Sequence, residues 1–140
     1  MDILYPVFAM MALTIFCMVR LGLLRWAAVG RGEVDPRFFS LFRGYEEPEK
    51  LAAYSRHLVN LFEAPLLFYV IIMMAFVTGQ SGDLLLGLAW AYFVLRMIHS
   101  YVHLTSNVVL TRFRIFVISM LVLSTLWVVV LTNIMRQGQS

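Results

Sequence analysis

The sequence predicts an all-α fold, a transmembrane four-helix bundle that forms one integral membrane domain over residues 1–140. Three observations carry that expectation. Hydrophobic residues make up 61% of the chain and charged residues 14%, far from the roughly one-quarter charged composition of soluble domains. The apolar residues fall into four runs, each close to the about 20 residues that a helix needs to cross a bilayer, which leaves little of the chain for anything else. Between the runs the polar punctuation is short, except in one place. The spans are expected at about residues 3–25, 51–78, 84–105 and 115–135.

The formal charge of +3 does not imply nucleic acid as a partner, because the arginines are spread along the chain and form no basic run. Membrane lipids are the partners that the composition implies. The single cysteine, Cys17, cannot close a disulfide within the chain, and its neighbours Ile15, Phe16, Met18 and Val19 make it a small packing or lipid-facing residue.

Ile3 to Arg25 lacks a basic leading segment, and its apolar run exceeds the roughly 7–15 residues of a signal-peptide core, so it reads as a retained helix. Pro6 falls in its first turns, where a missing N–H does little harm. Arg20 and Arg25 lie near its end, in position to snorkel toward phosphate head groups.

From Val29 to Lys50 glycines, prolines and charges mark the one long loop, with Phe38, Phe39, Leu41 and Phe42 expected at the membrane interface or packed back on the helix ends. Glu46, Glu47 and Glu49 around Pro48 favour a helix start there.

The second span opens on a polar stripe. Arg56, Asn60 and Glu63 stand at i, i+4 and i+7 and share one helix face, and Pro65 follows inside the apolar run. A proline at this position frees a carbonyl near Leu61 and bends the helix. Polar groups in a span are costly against lipid, so the stripe is expected to face a neighbouring helix or a wet cavity, either as a site or as a clip between helices. His57 lies about 100 degrees from Arg56 on the helix wheel and is expected at the lipid interface or a subunit contact.

Gly79 to Asp83 is a tight turn, so the second and third spans run antiparallel as neighbours. The third span carries its own stripe, Arg96, His99 and His103 at i, i+3 and i+7, with Ser100 beside it and Asn107 beyond. Both stripes lie in the halves of their helices far from the turn and therefore at one depth. Arg112 and Arg114 open the fourth span, where they oppose the helix dipole, so they bind lipid phosphate or close the polar site. The tail from Arg136 to Ser140 is expected to fray. Arg31, Arg37, Arg43, Lys50, Arg112 and Arg114 fall on one side of the membrane and Arg136 on the other, which places the termini outside and the polar site toward the cytoplasm.

At these residues the chain resembles the membrane-associated proteins in eicosanoid and glutathione metabolism, the family of microsomal glutathione transferases and microsomal prostaglandin E synthase. The likeness rests on Arg56, Asn60, Glu63 and Pro65 in the second span and on Arg96, His99, Ser100, His103 and Leu104 in the third. Arg112 follows at a spacing close to that of the prostaglandin synthase branch. The resemblance implies a homotrimer that binds glutathione between subunits as co-substrate, held by Arg56, Asn60, Glu63, Arg96, His99 and His103. It also implies that Arg112 stands by the sulfur as the catalytic cation, favouring the thiolate that attacks a lipophilic small-molecule substrate.

His103 stands where the family pattern has tyrosine, Phe116 where it has an aromatic hydroxyl, and Leu110 or Thr111 where it has proline. Loss of the hydroxyl fits a second reading, a non-catalytic member of the same fold that binds a lipid or a protein partner. A third reading takes His99 and His103 as a metal or haem pair with Glu63 or His57, and the surrounding arginines oppose it.

Overall fold

The computed structural model describes residues 2–42 and 47–138. Four long helices follow one another, α1 (Tyr5–Gly30), α3 (Glu49–Val77), α4 (Asp83–Leu104) and α5 (Val109–Gln137), with a short helix α2 (Phe38–Leu41) between the first two. Each of the four is long and apolar enough to cross a membrane, and the chain is an integral multi-pass membrane protein. α1 packs mainly on α3, α5 mainly on α4, and α3 reaches both α4 and α5.

α1 and α5 outrun the expected spans, whereas α3 and α4 end one residue short of them. α1 continues five residues past Arg25 because Ala27 and Ala28 favour helix and the stop comes only at Gly32, whose φ of +69° is open to glycine. There the Glu33 N–H bonds to the Ala28 carbonyl and the Gly32 N–H to that of Val29, a Schellman closure. α3 ends in the same way at Gly79, φ +67°, with Gln80 bonded back to Ala75 and Gly79 to Phe76. α5 begins at Val109, so Arg112 and Arg114 lie within its first two turns. It continues through Arg136 and Gln137, contrary to the expected fraying there. Gln139 and Ser140 lie outside the described residues, as do Arg43, Gly44 and Glu46 of the long loop.

The apolar core fills the half of the bundle nearest the α3–α4 turn, with Val7 and Met10 of α1, Phe68, Ile71 and Ile72 of α3, Tyr92 of α4 and Leu126 of α5. A smaller cluster at the other end joins Leu21 and Ala28 of α1 to Leu51 of α3 and to Val34 and Phe38 of the loop. Cys17 is buried as a packing residue. Phe38 packs back as expected, whereas Phe42 is exposed. Of Leu41 only the backbone is described.

Arg25 departs from its expected snorkelling role. Its Nη2 donates to the Ser55 hydroxyl at 3.2 Å, that hydroxyl donates to Glu47, and the guanidinium lies 5.3 Å from the centre of the Phe39 ring and 5.8 Å from that of Phe42. It therefore ties α1 to α3 and to the aromatic segment. Arg20 stays exposed on α1. At the opposite end Gln80 is buried and joins the α3–α4 turn to α5, donating to the Val130 carbonyl and accepting from Asn133.

Candidate functional site

The polar layer forms where α3, α4 and α5 meet, between the levels of Leu51 and Phe68 on α3. On α4 the buried stripe runs Leu85, Ala89, Tyr92, Arg96, His99 and His103, a spacing of three and four residues that holds one face inward along the whole helix. On α5 the positions Arg112, Phe116, Ser119, Leu123 and Leu126 repeat at the same interval, which brings Arg112 and Phe116 against that stripe. The expected antiparallel register holds, because Arg96 Nη2 donates to the Asn60 carbonyl at 2.9 Å. Pro65 is carried inside an unbroken α3, and the carbonyl that takes the guanidinium is Asn60's, one residue before the one the proline frees.

α3 turns a different face inward from the one its polar stripe suggests. Its buried positions include His57, Leu61, Ala64, Phe68, Ile71 and Ala75, again at intervals of three and four. Arg56 and Glu63 lie about 100 degrees round from that line and are exposed, and Asn60 is half-buried with its amide donating to the Arg56 carbonyl. Within one subunit the expected site is thus divided. Arg96, His99 and His103 come together with Arg112, whereas Arg56 and Glu63 point out of the subunit. Glu63 pairs with no arginine among the described residues, which corrects the expectation of an internal pair.

His57 is the residue that the sequence reading put elsewhere. It is 0% exposed, not lipid-facing, and its ring centre lies 4.9 Å from that of His103 and 6.0 Å from that of His99. Extending the stripe Leu61, Ala64, Phe68 and Ile71 back by one turn reaches His57, and that signal was present in the sequence. Tyr92 also belongs to this layer, buried one turn from Arg96 and stacked on Phe68 at 4.7 Å.

The hydrogen bonds define which ring atoms are free. His99 Nδ1 lies 3.2 Å from the Arg112 carbonyl, which can only accept, so Nδ1 carries the proton and Nε2 presents a lone pair. Arg112 Nη1 lies 3.1 Å from His103 Nε2, and a guanidinium can only donate, so this Nε2 is an acceptor and Nδ1 carries the proton. The same Nη1 donates to Asn107 Oδ1 at 2.7 Å, and Asn107 adopts the left-handed conformation that asparagine tolerates, φ 49°. Ser100 turns back to the Arg96 carbonyl within its own helix. Phe116 lies 6.0 Å from His99 and 5.9 Å from the Arg96 guanidinium, so an aromatic face fills the place where the family pattern has a hydroxyl.

Arg96 sets the chemistry of this layer. It is 0% exposed, and its Nε and Nη1 have no hydrogen-bond partner among the described residues. No carboxylate among those residues comes within ion-pairing distance of it. Buried donors of this kind are satisfied by acceptors, and a guanidinium fork matches a carboxylate best. The layer therefore has free donors that an anionic, hydrogen-bonding group would satisfy. The cleft of about 550 Å³ lined by Asp2, Gln80, Ser81 and Asp83 lies at the other end of the bundle, by the α3–α4 turn. Comparison with known proteins bears on the whole chain: the model of the MAPEG family matches residues 3–132. Neither the curated proteins nor the solved structures give a match.

Proposed function

The chain belongs to the MAPEG family, and from that premise we propose that it binds glutathione as co-substrate and acts on lipophilic electrophiles or lipid hydroperoxides as a membrane-bound transferase or peroxidase. The observation that carries the reading is Arg96, a buried guanidinium with two unpartnered donor atoms and no carboxylate beside it. Glutathione brings two carboxylates, peptide acceptors and the thiol nucleophile, and the residues present fit the first two. Arg96 holds its acceptors from inside the subunit, and His99 Nε2 accepts from an N–H of the tripeptide. His103, held by Arg112, offers its Nδ1–H.

The outward position of Arg56, Asn60 and Glu63 supports a site completed between copies of the chain. A cation and a carboxylate facing lipid on a span are costly, and a second subunit covers them. A homotrimer meets that need, with Arg56, Asn60 and Glu63 of one copy lining the boundary. The excess of arginine at the α1–α3 and α4–α5 ends over the α3–α4 end supports a site toward the cytoplasm with both termini outside. Arg112 stands at the mouth of the layer and favours the thiolate over the thiol before the lipophilic substrate arrives from the bilayer.

Phe116 favours the second reading, a non-catalytic member of the fold that binds a lipid or a partner, because a phenyl ring cannot donate to a sulfur anion or an oxyanion. The experiment that separates the two is a thermal titration of the detergent-solubilised protein with glutathione, followed by an assay of conjugation. Glutathione at a hundred times its Kd is expected to stabilise the protein by about 2.7 kcal/mol. Stabilisation without turnover establishes the second reading, and no stabilisation removes the first. The mass of the solubilised complex is expected to be that of three chains, and a monomer or dimer at low protein concentration counts against the intersubunit site. In the same titration Glu63→Gln is expected to leave the melting of dissociated subunits within about 0.5 kcal/mol, as surface changes do. The variant's deficit is expected only in the ligand-induced stabilisation.

A further inference from the structure

His57 has no place in the family pattern on which the glutathione reading rests, yet it is buried at the centre of the polar layer with neither ring nitrogen partnered among the described residues. The groups that face it are all neutral or cationic. From α4 these are Arg96, His99 and His103, and from α5 Arg112. On its own helix Arg56 is exposed, and on α1 Arg25 is engaged with Ser55, whose hydroxyl also holds Glu47. No carboxylate among the described residues is turned toward the ring.

The two neighbouring imidazoles have their tautomers set by Arg112, one by its carbonyl and one by its guanidinium. His57 is the one ring of the three with both nitrogens unpartnered among the described residues, so either can accept a proton without breaking a hydrogen bond, whereas His99 has only Nε2 open. A proton placed on His57 would add a third positive charge to two guanidinium groups in a weakly screened interior. An anionic ligand shifts that balance. A carboxylate against Arg96 offsets one of the two guanidinium charges, so an imidazolium at His57 becomes less costly, and proton and anion bind together by linkage.

We propose that His57 is the proton-linked residue of this site, so that the anionic tripeptide is taken up together with a proton that the His57, His99 and His103 cluster holds. The inference rests on the glutathione reading and concerns the regulation of that same site by pH. It gives His57 a positioning role, acting on the ligand through charge and through the two rings it packs against. The balance is simple: a proton from water joins the lone pair of one His57 nitrogen as the ligand's carboxylate joins Arg96, and the same proton returns to water on release. Affinity should therefore fall as pH rises through neutrality, by up to tenfold for each unit of pH if one full proton is linked.

The test uses S-methylglutathione, which keeps both carboxylates but has no thiol proton to lose, beside glutathione itself. Calorimetric titration of the full-length solubilised protein in two buffers of different ionisation enthalpy reads the protons taken up. The expected result is a net uptake of protons in the parent protein and a Kd that weakens with rising pH. In His57→Asn, which preserves a polar side chain of similar reach, both the uptake and the pH slope should disappear while binding at high pH stays within about threefold. A purely structural role would instead move affinity equally at every pH and leave the uptake unchanged. Binding of S-methylglutathione with no proton uptake, or with the same uptake in His57→Asn, overturns the inference and leaves the glutathione reading standing. Failure of both tripeptides to bind overturns the two together.

Discussion

Arg112→Ala is expected to slow glutathione conjugation or peroxide reduction about tenfold near neutral pH, with glutathione affinity held within a small factor, since the tripeptide's anionic and peptide groups are held mainly by α3 and α4. The guanidinium is already oriented before any ligand binds, with one nitrogen shared between His103 Nε2 at 3.1 Å and Asn107 Oδ1 at 2.7 Å. A fixed cation at the edge of a partly shielded layer favours thiolate over thiol by direct attraction, and a tenfold gain in thiolate corresponds to about 1.4 kcal/mol. Without it the thiol holds its proton to higher pH, so the pH optimum should move upward. Arg114, about 200 degrees further round α5 and exposed, should tolerate the same change. Absorbance titration of the thiolate with glutathione bound to each protein checks this directly. An unchanged thiol titration in Arg112→Ala removes the catalytic role.

Arg96→Met should have the opposite pair of effects, a higher melting temperature without ligand and no response to glutathione. The parent side chain is fully buried, and among the described residues it has a single hydrogen bond, to the Asn60 carbonyl, and two further donor atoms without partners. A charged residue at the middle of a span costs about 2.5–3.5 kcal/mol. Replacing buried ionic groups by apolar ones of similar volume commonly stabilises by about 1–4 kcal/mol. Methionine is flexible enough to fill the space beside Phe116. Arg96→Lys keeps the charge and loses the fork, so it should regain little of the binding. Thermal unfolding of the three proteins with and without glutathione decides the matter. A lower melting temperature in Arg96→Met would mean that the tie to Asn60 outweighs the desolvation cost, and that Arg96 is a clip between helices.

The sequence by itself determined the number of spans, their antiparallel order about the Gly79–Gln80 turn and the inward face of α4. Arg96, His99 and His103 could be placed together because three polar residues on one helical line have the same low tolerance for lipid. Helix ends were less legible. α1 and α5 run past their apolar residues to the glycines beyond them, Gly32 and Gly138, and hydropathy does not see that.

Only the tertiary structure decided which face of α3 looks inward. In water the buried face of a helix is the apolar one, but in a bilayer lipid and core are equally apolar, so Leu61, Phe68 and Ile71 inside cannot be told by hydropathy from Leu66, Leu67 and Val70 outside. Arg56, Asn60 and Glu63 form the more polar line, and polarity alone made them the obvious interior. The fold instead buries the line of His57, because Phe68, Ile71 and Ala75 on that line pack against Tyr92, Ala89 and Leu126. Packing at the apolar end of the bundle thereby fixes the rotation of α3 at its polar end, turning His57 toward Arg96 and leaving Glu63 outside the subunit.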